Sequence, residues 1–288
     1  MRIGELSRRT GVDPHQLRAW ERRYGVLKPR RSDGNYRLYS SADERRVRLM
    51  LRHIKEGAST AQAAELTLAV RLGVTPGAGQ SVPASEAAAA TEEMRAALDE
   101  FDETSAQRAL ERLFAAFSPT TVVRDVLVPY LNHLGERWAD GRVTVAQEHF
   151  ASNFLHARFL ALARGWDRGL GPRALLACAP GEQHTLPLIA FGIALHSLGW
   201  RVVYLGADTP VPMVADTADR TEPELVVVAA AMTERLAPHV DTLRQLSRRW
   251  PLAIAGAGAG AALADDAGAA HLEADPVTAA FSLAVEAA

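Results

Sequence analysis

The sequence predicts a multidomain α and α/β chain with three folded parts in series: a helix-turn-helix head bearing a β-hairpin, a four-helix bundle and a doubly wound parallel sheet. Three observations lead to this. Residues 1–70 are Arg-rich, with helical apolar spacing interrupted at Gly11. Residues 91–168 keep helical spacing throughout. From 169 to 288, short continuously apolar runs alternate with helical stretches, the pattern of parallel strands covered on both faces by crossover helices.

In the head, Ile3, Leu6, Val12, Leu17 and Trp20 supply a small apolar face, and Gly11 separates the first two helices. Trp20 shares a face with Leu17 and is assigned to the core. Residues 28–39 read as a hairpin, with Asp33-Gly34 at the turn and Tyr36 and Leu38 alternating with Arg37 and Tyr39. Ser41 is placed as the cap of the next helix, which carries Val47, Leu51 and Ile54. Residues 71–90, with Gly, Pro, Ser and an Ala run, read as a linker whose Ala-rich end also suits a helix.

In the bundle, Met94, Leu98 and Phe101 mark the first helix, and Ala109, Leu110, Leu113 and Phe114 the second. Residues 122–134 and 145–162 give two more, and the short connections favour a bundle. Strands are expected at 174–178, 201–205, 225–229 and 252–255. No solenoid-type repeat is present.

The length of 288 residues allows two or three domains with sizeable cores. The net charge of -2 is unevenly placed: residues 1–56 hold 15 Lys/Arg against 7 Asp/Glu, and the remainder 17 against 27. A basic head on an acidic body fits a head that meets phosphate and a body that does not. Cys178 is the single cysteine, which excludes an intrachain disulfide and fits a reduced, cytoplasmic setting. Met1-Arg2-Ile3-Gly4-Glu5 lacks the apolar core of a signal peptide, and no apolar run approaches the roughly 18 residues of a membrane span.

The string Leu17-Arg18-Ala19-Trp20-Glu21-Arg22-Arg23-Tyr24-Gly25-Val26-Leu27-Lys28-Pro29, followed by Asn35-Tyr36-Arg37-Leu38-Tyr39, closely resembles the recognition helix and wing of MerR-family regulators, at the family's separation. The resemblance covers residues 1–68. It implies a winged helix-turn-helix that dimerises and binds a palindromic promoter site in double-stranded DNA. The residue chemistry agrees. A helix bearing Arg18, Arg22 and Tyr24 can enter a major groove, where Arg donates two bonds to a guanine edge. Arg31, Asn35, Tyr36 and Arg37 on the wing suit phosphate or minor-groove contact.

Residues 91–288 look like the helix bundle plus flavodoxin-like, Rossmann-type domain of cobalamin-binding proteins. With the head, the whole chain resembles the CarH/LitR group of adenosylcobalamin-dependent photoreceptor repressors. Three features carry that likeness: Trp138-x9-Glu148-His149 on the bundle, Glu182-x-His184 in the first βα loop, and Gly256-Ala257-Gly258 after the fourth strand. The resemblance implies that His184 is the lower axial cobalt ligand, a role that imidazole commonly fills. Glu182, or a neighbour such as Asp208, would fix its tautomer. Trp138 would cover the adenosyl group by stacking, Glu148 would hydrogen-bond its sugar or base, and His149 would line the same pocket. Small residues at Gly256 and Gly258 would leave room for the nucleotide tail, with Thr233 as the nearby hydroxyl. His133, His156, His196, His239 and His271 are assigned to surface or packing.

The sequence departs from the group's pattern at several places. Pro187 stands three residues after His184, where the group has Gly; proline is tolerated in a first helical turn. Ala231-Met232-Thr233 lacks the usual Ser, and the double glycine is reduced to Gly256-Ala257. Ala139 follows Trp138, where light-sensing relatives often place a histidine, so a bis-histidine light product would have to recruit His149 or His133.

The expected function is a DNA-binding repressor that holds adenosylcobalamin between bundle and α/β domain. It would assemble as a dimer or tetramer, and light would remove the adenosyl group and change the assembly. It would not be an enzyme, since no acid–base pair or nucleophile constellation accompanies the site. A light-independent MerR-type regulator, sensing another corrinoid or chromophore or acting without cofactor, is the first alternative, favoured by Ala139 and Pro187. A corrinoid carrier for methyl transfer is the second, and the MerR-like head argues against it.

Overall fold

The computed structural model describes residues 1–31, 36–55, 59–71, 81–169, 171–273 and 275–286. The chain divides into two units, one of Met1–Gly79 with Gly169–Gly171 and Phe281–Ala288, the other of Gln80–Arg168 with Pro172–Ala280. Among the described residues no helix is long and apolar enough to cross a membrane.

In the first unit, α1 (Ile3–Thr10) stops at Gly11, which takes a positive φ of 71° and donates its N–H to the Ser7 carbonyl. After this turn α2 (Pro14–Tyr24) begins with Pro14 behind the Asp13 cap and ends at Gly25, again with positive φ. Leu6, Val12, Leu17 and Trp20 are buried together with Val26, Leu27, Tyr39, Val47 and Met50, so the expected apolar face is the core of the head. Ile3, Leu51 and Ile54 pack at its margin. β1 (Arg30–Arg31) pairs antiparallel with β2 (Arg37–Leu38). The Asp33-Gly34 turn expected between them lies outside the described residues. α3 (Ser41–Lys55) and α4 (Thr60–Arg71) complete the unit.

The cap of α3 is Ser40, one residue before the expected Ser41. Ser40 Oγ accepts the Asp43 N–H, and the Asp43 carboxylate accepts the Ser40 N–H at 2.8 Å, a reciprocal capping box. Asp43 also accepts from the Lys28 N–H at 2.9 Å and from Arg46 at 2.5 Å. Lys28 precedes β1, so this one buried carboxylate ties the approach to the hairpin to the helix that follows it.

In the second unit, α5 (Ala84–Asp99), α6 (Glu103–Ala116), α7 (Pro119–Val122) running into α8 (Val128–Ala139), and α9 (Val145–Leu162) form the bundle. Three expectations change here. Residues 84–90 of the stretch read as linker are already helical, leaving 72–80 outside the described residues. Phe101 lies beyond the end of α5 with φ 59°, half exposed and edge-on to Phe150 at 5.3 Å. The helix expected over 122–134 is broken by a π-helical turn, Val123–Leu127, two residues before Pro129. Proline has no N–H to give and its ring crowds the carbonyl four residues back, which the wider turn relieves.

The remaining chain alternates strand and helix: β3 (Arg173–Cys178), α10 (Leu186–Ser197), β4 (Arg201–Gly206), α11 (Val211–Thr221), β5 (Leu225–Ala229), α12 (Val240–Ser247), β6 (Leu252–Ala255), α13 (Ala261–Ala267), β7 (Ala270–Leu272) and α14 (Pro276–Glu286). All five strands are parallel in the order β4-β3-β5-β6-β7, the flavodoxin-like arrangement. The four expected strands are present; β7 is an addition, three residues long and only partly buried, so it carries no apolar run. Leu175, Ala177, Val226, Val228 and Ile254 form the core of one face with Val211, Val214, Leu243 and Leu246. On the other side α10 lies between β3, β4 and the bundle helix α9. Both of its sides are covered, which is why its residues are apolar all round.

Asp43→Ala should lower the unfolding free energy of the head by about 2–3 kcal/mol, since it strands several donors and removes a cap. Burial pushes the Asp43 carboxyl up, but the amides of Lys28 and Ser40, the Ser40 hydroxyl and Arg46 hold it below the usual range. Its contribution is therefore full above the ordinary Asp value of about 4 and fades as pH falls through the lower folded-state value. Urea unfolding of parent and variant from neutral to acid pH should show the two converging at the acid end.

Candidate functional site

The second unit presents its chemistry at the carboxyl ends of β3, β4 and β5, where open α/β sheets bind ligands. Between β3 and α10 the chain carries Glu182 and His184. Glu182 is 3% exposed. One of its oxygens accepts from the Ala231 N–H at 2.7 Å, beyond β5. The other accepts from the His184 N–H at 2.8 Å and stands 2.5 Å from His184 Nδ1. Burial pushes the Glu182 carboxyl up, but the amides of His184 and Ala231 and the imidazole hold it below the usual carboxylate range. An ionised carboxylate only accepts, so Nδ1 must carry the proton. In the neutral ring the lone pair is then on Nε2, and the His184 side chain is 66% exposed.

Of the two candidates for fixing the tautomer, Glu182 does so. Asp208 instead takes the Gly181 N–H at 2.6 Å. Cys178, at the end of β3, is fully buried, and burial pushes its thiol up to about 12, so it remains a thiol. Pro187 sits in the first turn of α10, as proline chemistry allows. Thr233 opens a short 3-10 turn after β5 and is exposed. The spaces beside Gly256 and Gly258 are taken by backbone: a Cβ at Gly256 would collide with the Ala230 carbonyl, and one at Gly258 with the backbone of Met232. These two glycines thus serve close approach between the loops after β5 and β6.

The second cluster lies at the turn from α8 to α9. Trp138 is 53% exposed at the end of α8. Glu148 is in the first turn of α9, where its carboxylate accepts from Ser152 Oγ at 2.6 Å. His149 is exposed, with Nε2 3.7 Å from Glu148. The corner is rigidly based. Thr144 and Gln147 form a capping box at the start of α9, and Gln147 also donates to the Asp99 carbonyl at 2.9 Å. Arg137, next to Trp138, makes a two-pronged pair with the Asp99 carboxylate at 3.2 and 2.7 Å. The two clusters stand on elements packed together through α9 and α10.

Among the described residues no three His, Cys, Asp or Glu side chains are grouped to hold a bare ion. His184, its far nitrogen anchored by a buried carboxylate, can offer a single imidazole nitrogen to a metal.

In the head, Arg18 and Arg22 are exposed on α2, while Tyr24 is half-buried against the core under Arg23. Tyr36 is 61% exposed, with the Arg2 guanidinium 5.0 Å above its ring. Arg37 donates to Glu21 at 2.8 Å, and the buried Tyr39 hydroxyl donates to the other Glu21 oxygen at 2.7 Å. Glu21 therefore joins recognition helix to wing, a role the sequence reading did not assign. The Arg31 side chain and Asn35 lie outside the described residues.

Gly256→Ala should cost about 2–4 kcal/mol, since it combines a positive φ of 91° with collision against fixed backbone. Thermal unfolding of the apoprotein measures this.

Three segments of the chain match known families: residues 1–70 the MerR HTH family regulatory proteins, and residues 90–163 and 172–282 two families each described as a B12 binding domain. The HTH-type transcriptional repressor CarH of Myxococcus xanthus is 33% identical over 254 residues, 87% of this chain and 85% of that protein. The HTH-type transcriptional repressor CarA of the same organism is 32% identical over 265 residues, 90% of this chain and 87% of the relative. The solved monomethylamine corrinoid protein of Methanosarcina barkeri superposes with a TM-score of 0.56 at 17% identity, covering 68% of this chain and 96% of the other, a likeness of fold. The chain belongs to the MerR family of helix-turn-helix regulatory proteins, in the group that carries B12 binding domains behind the DNA-binding head.

Proposed function

We propose that this chain is a transcriptional repressor that binds adenosylcobalamin with His184 as the lower axial ligand and responds to light. The observation that carries this is the Glu182–His184 pair: a buried, ionised carboxylate anchors Nδ1 and leaves Nε2 as the donor. When bound, adenosylcobalamin would supply a cobalt–carbon bond that light can break. The chain's own residues do the rest. His184 would hold the cofactor from the sheet side. Trp138 and Glu148 would cover and hydrogen-bond the adenosyl group, with His149 beside them. Losing that partner would leave the α8–α9 corner with different contacts in dark and light, which is the differential interaction a switch needs.

On the DNA side, Arg18 and Arg22 would reach base edges of a palindromic operator while Arg37, held by Glu21, contacts the backbone. A dimer places two such heads on two half-sites, and a dimer or tetramer is the proposed dark assembly. Thr233 would meet the nucleotide tail. The dimensions of that subsite depend on the loops after β5 and β6, which Gly256 and Gly258 bring close together.

One alternative rests on a specific residue. Ala139, at the end of α8, offers no imidazole beside Trp138, which favours a regulator of the same build that senses a corrinoid without light. A methyl carrier shares the bundle and sheet but has no use for the basic head.

The deciding experiment mixes protein with adenosylcobalamin in the dark and follows visible absorption, size-exclusion elution and operator binding before and after green light. The photoreceptor reading expects a retained corrinoid band, a spectral change on illumination, altered elution and loss of operator binding. A retained band with no change in assembly favours the light-independent regulator. His184→Ala should lose the spectral signature of imidazole ligation; an unchanged holoprotein spectrum refutes the role. Arg37→Ala should weaken operator binding and lower the salt slope by about one. An unaltered slope removes Arg37 from the backbone contacts.

A further inference from the structure

Resting on the assignment of His184 as axial donor, we infer that Asp208 is the positioning residue that presets the His184 loop before any cofactor arrives. Asp208 follows β4 and takes φ 46°, one of three non-glycine residues with positive φ among those described. Most side chains avoid this conformation; Asp and Asn tolerate it best. The conformation turns the Asp208 carboxylate back onto the neighbouring loop, where Oδ1 accepts the Gly181 N–H at 2.6 Å. The Asp208 N–H in turn donates to the Glu182 carbonyl at 2.9 Å. The next residue, Thr209, donates its N–H to the Cys178 carbonyl at 3.1 Å.

These three bonds lie where regular strand pairing has ended. The β3–β4 register shifts between Leu176 and Ala177, and the last paired residue is Gly206. Asp208 and Thr209 therefore extend the tie between the two strands into the loops. Gly181 is held from its other side as well: it has φ 75°, and the Arg235 guanidinium occupies the space a Cβ would need. The backbone on either side of Glu182 is thus fixed by Asp208, and the Glu182 side chain fixes the His184 ring. Asp208 acts on His184 through the backbone, not by touching the donor.

Asp208→Ala removes the acceptor and places a less tolerant residue at positive φ. Asp208→Asn keeps a carbonyl acceptor and the backbone tolerance. Two measurements separate them. In the apoprotein, residue-resolved amide exchange should find Gly181 protected in the parent and in Asp208→Asn, and about tenfold or more faster in Asp208→Ala. With adenosylcobalamin, Asp208→Ala should bind about tenfold more weakly, with less of the imidazole-ligated spectrum, and Asp208→Asn should follow the parent. Equal exchange and equal spectra in parent and Asp208→Ala would overturn the proposal, as would an Asp208→Asn variant as impaired as Asp208→Ala. If the parent itself retains no adenosylcobalamin while Asp208→Ala still frees Gly181, the cofactor reading fails and the loop clamp stands. Far-ultraviolet circular dichroism and melting of both variants establish that each is folded.

Discussion

Glu182 is a carboxylate that the sheet has almost entirely taken out of water, and the second unit organises its chemistry around it. Such burial is tolerable only because both oxygens are occupied, by the Ala231 amide on one side and by the backbone and ring of His184 on the other. The arrangement depends on topology. The β4-β3-β5 order puts the first βα loop between the loops after β4 and β5, so one residue of β3's loop can be held by both neighbours. Asp208 comes from one side and Ala231 from the other. A surface histidine with a random rotamer would be a poor donor; one whose distal nitrogen is fixed to a buried anion meets a metal with its geometry already set.

The head follows the same logic with different partners. Asp43 collects four donors and ties the approach to the hairpin to the start of α3. Glu21 joins α2 to the wing through Arg37 and Tyr39. A groove-reading helix and a phosphate-reading wing are useful only at a fixed separation. In each unit, buried or half-buried carboxylates fix the spacing while cations or an imidazole stay exposed.

The architecture was legible in the sequence because its signals are strong ones. Gly11 and the basic string around Trp20 specify the helix turn. The apolar runs 174–178, 225–229 and 252–255 can be buried only on both faces, which implies a parallel sheet. Less legible were features set by a single local competition. Ser40 and Ser41 are equivalent as capping residues until Asp43 selects one by reciprocal bonding. Pro129 sat inside a helical pattern, and the π-helical turn that accommodates it leaves no periodic trace. β7 is too short and too exposed to announce itself. At the site, Glu182 and His184 were singled out through the resemblance to cobalamin-binding proteins, and the structure pairs them. The contacts of Asp208 and Glu21 were not legible, since each depends on groups brought together from distant positions. Gly256 and Gly258 were read as room for a ligand, whereas much of the space beside them is used by the protein's own loops.

The most direct test of the account is the tautomer of His184 in the apoprotein. Nitrogen-15 NMR of the imidazole at neutral pH reads which ring nitrogen carries the proton. If the Glu182 carboxylate governs the ring, the neutral form carries its proton on Nδ1 and has an unprotonated Nε2, and Glu182→Gln disturbs that preference. A neutral His184 protonated on Nε2, or a mixture of tautomers indifferent to Glu182→Gln, would contradict the claim that this carboxylate prepares the donor.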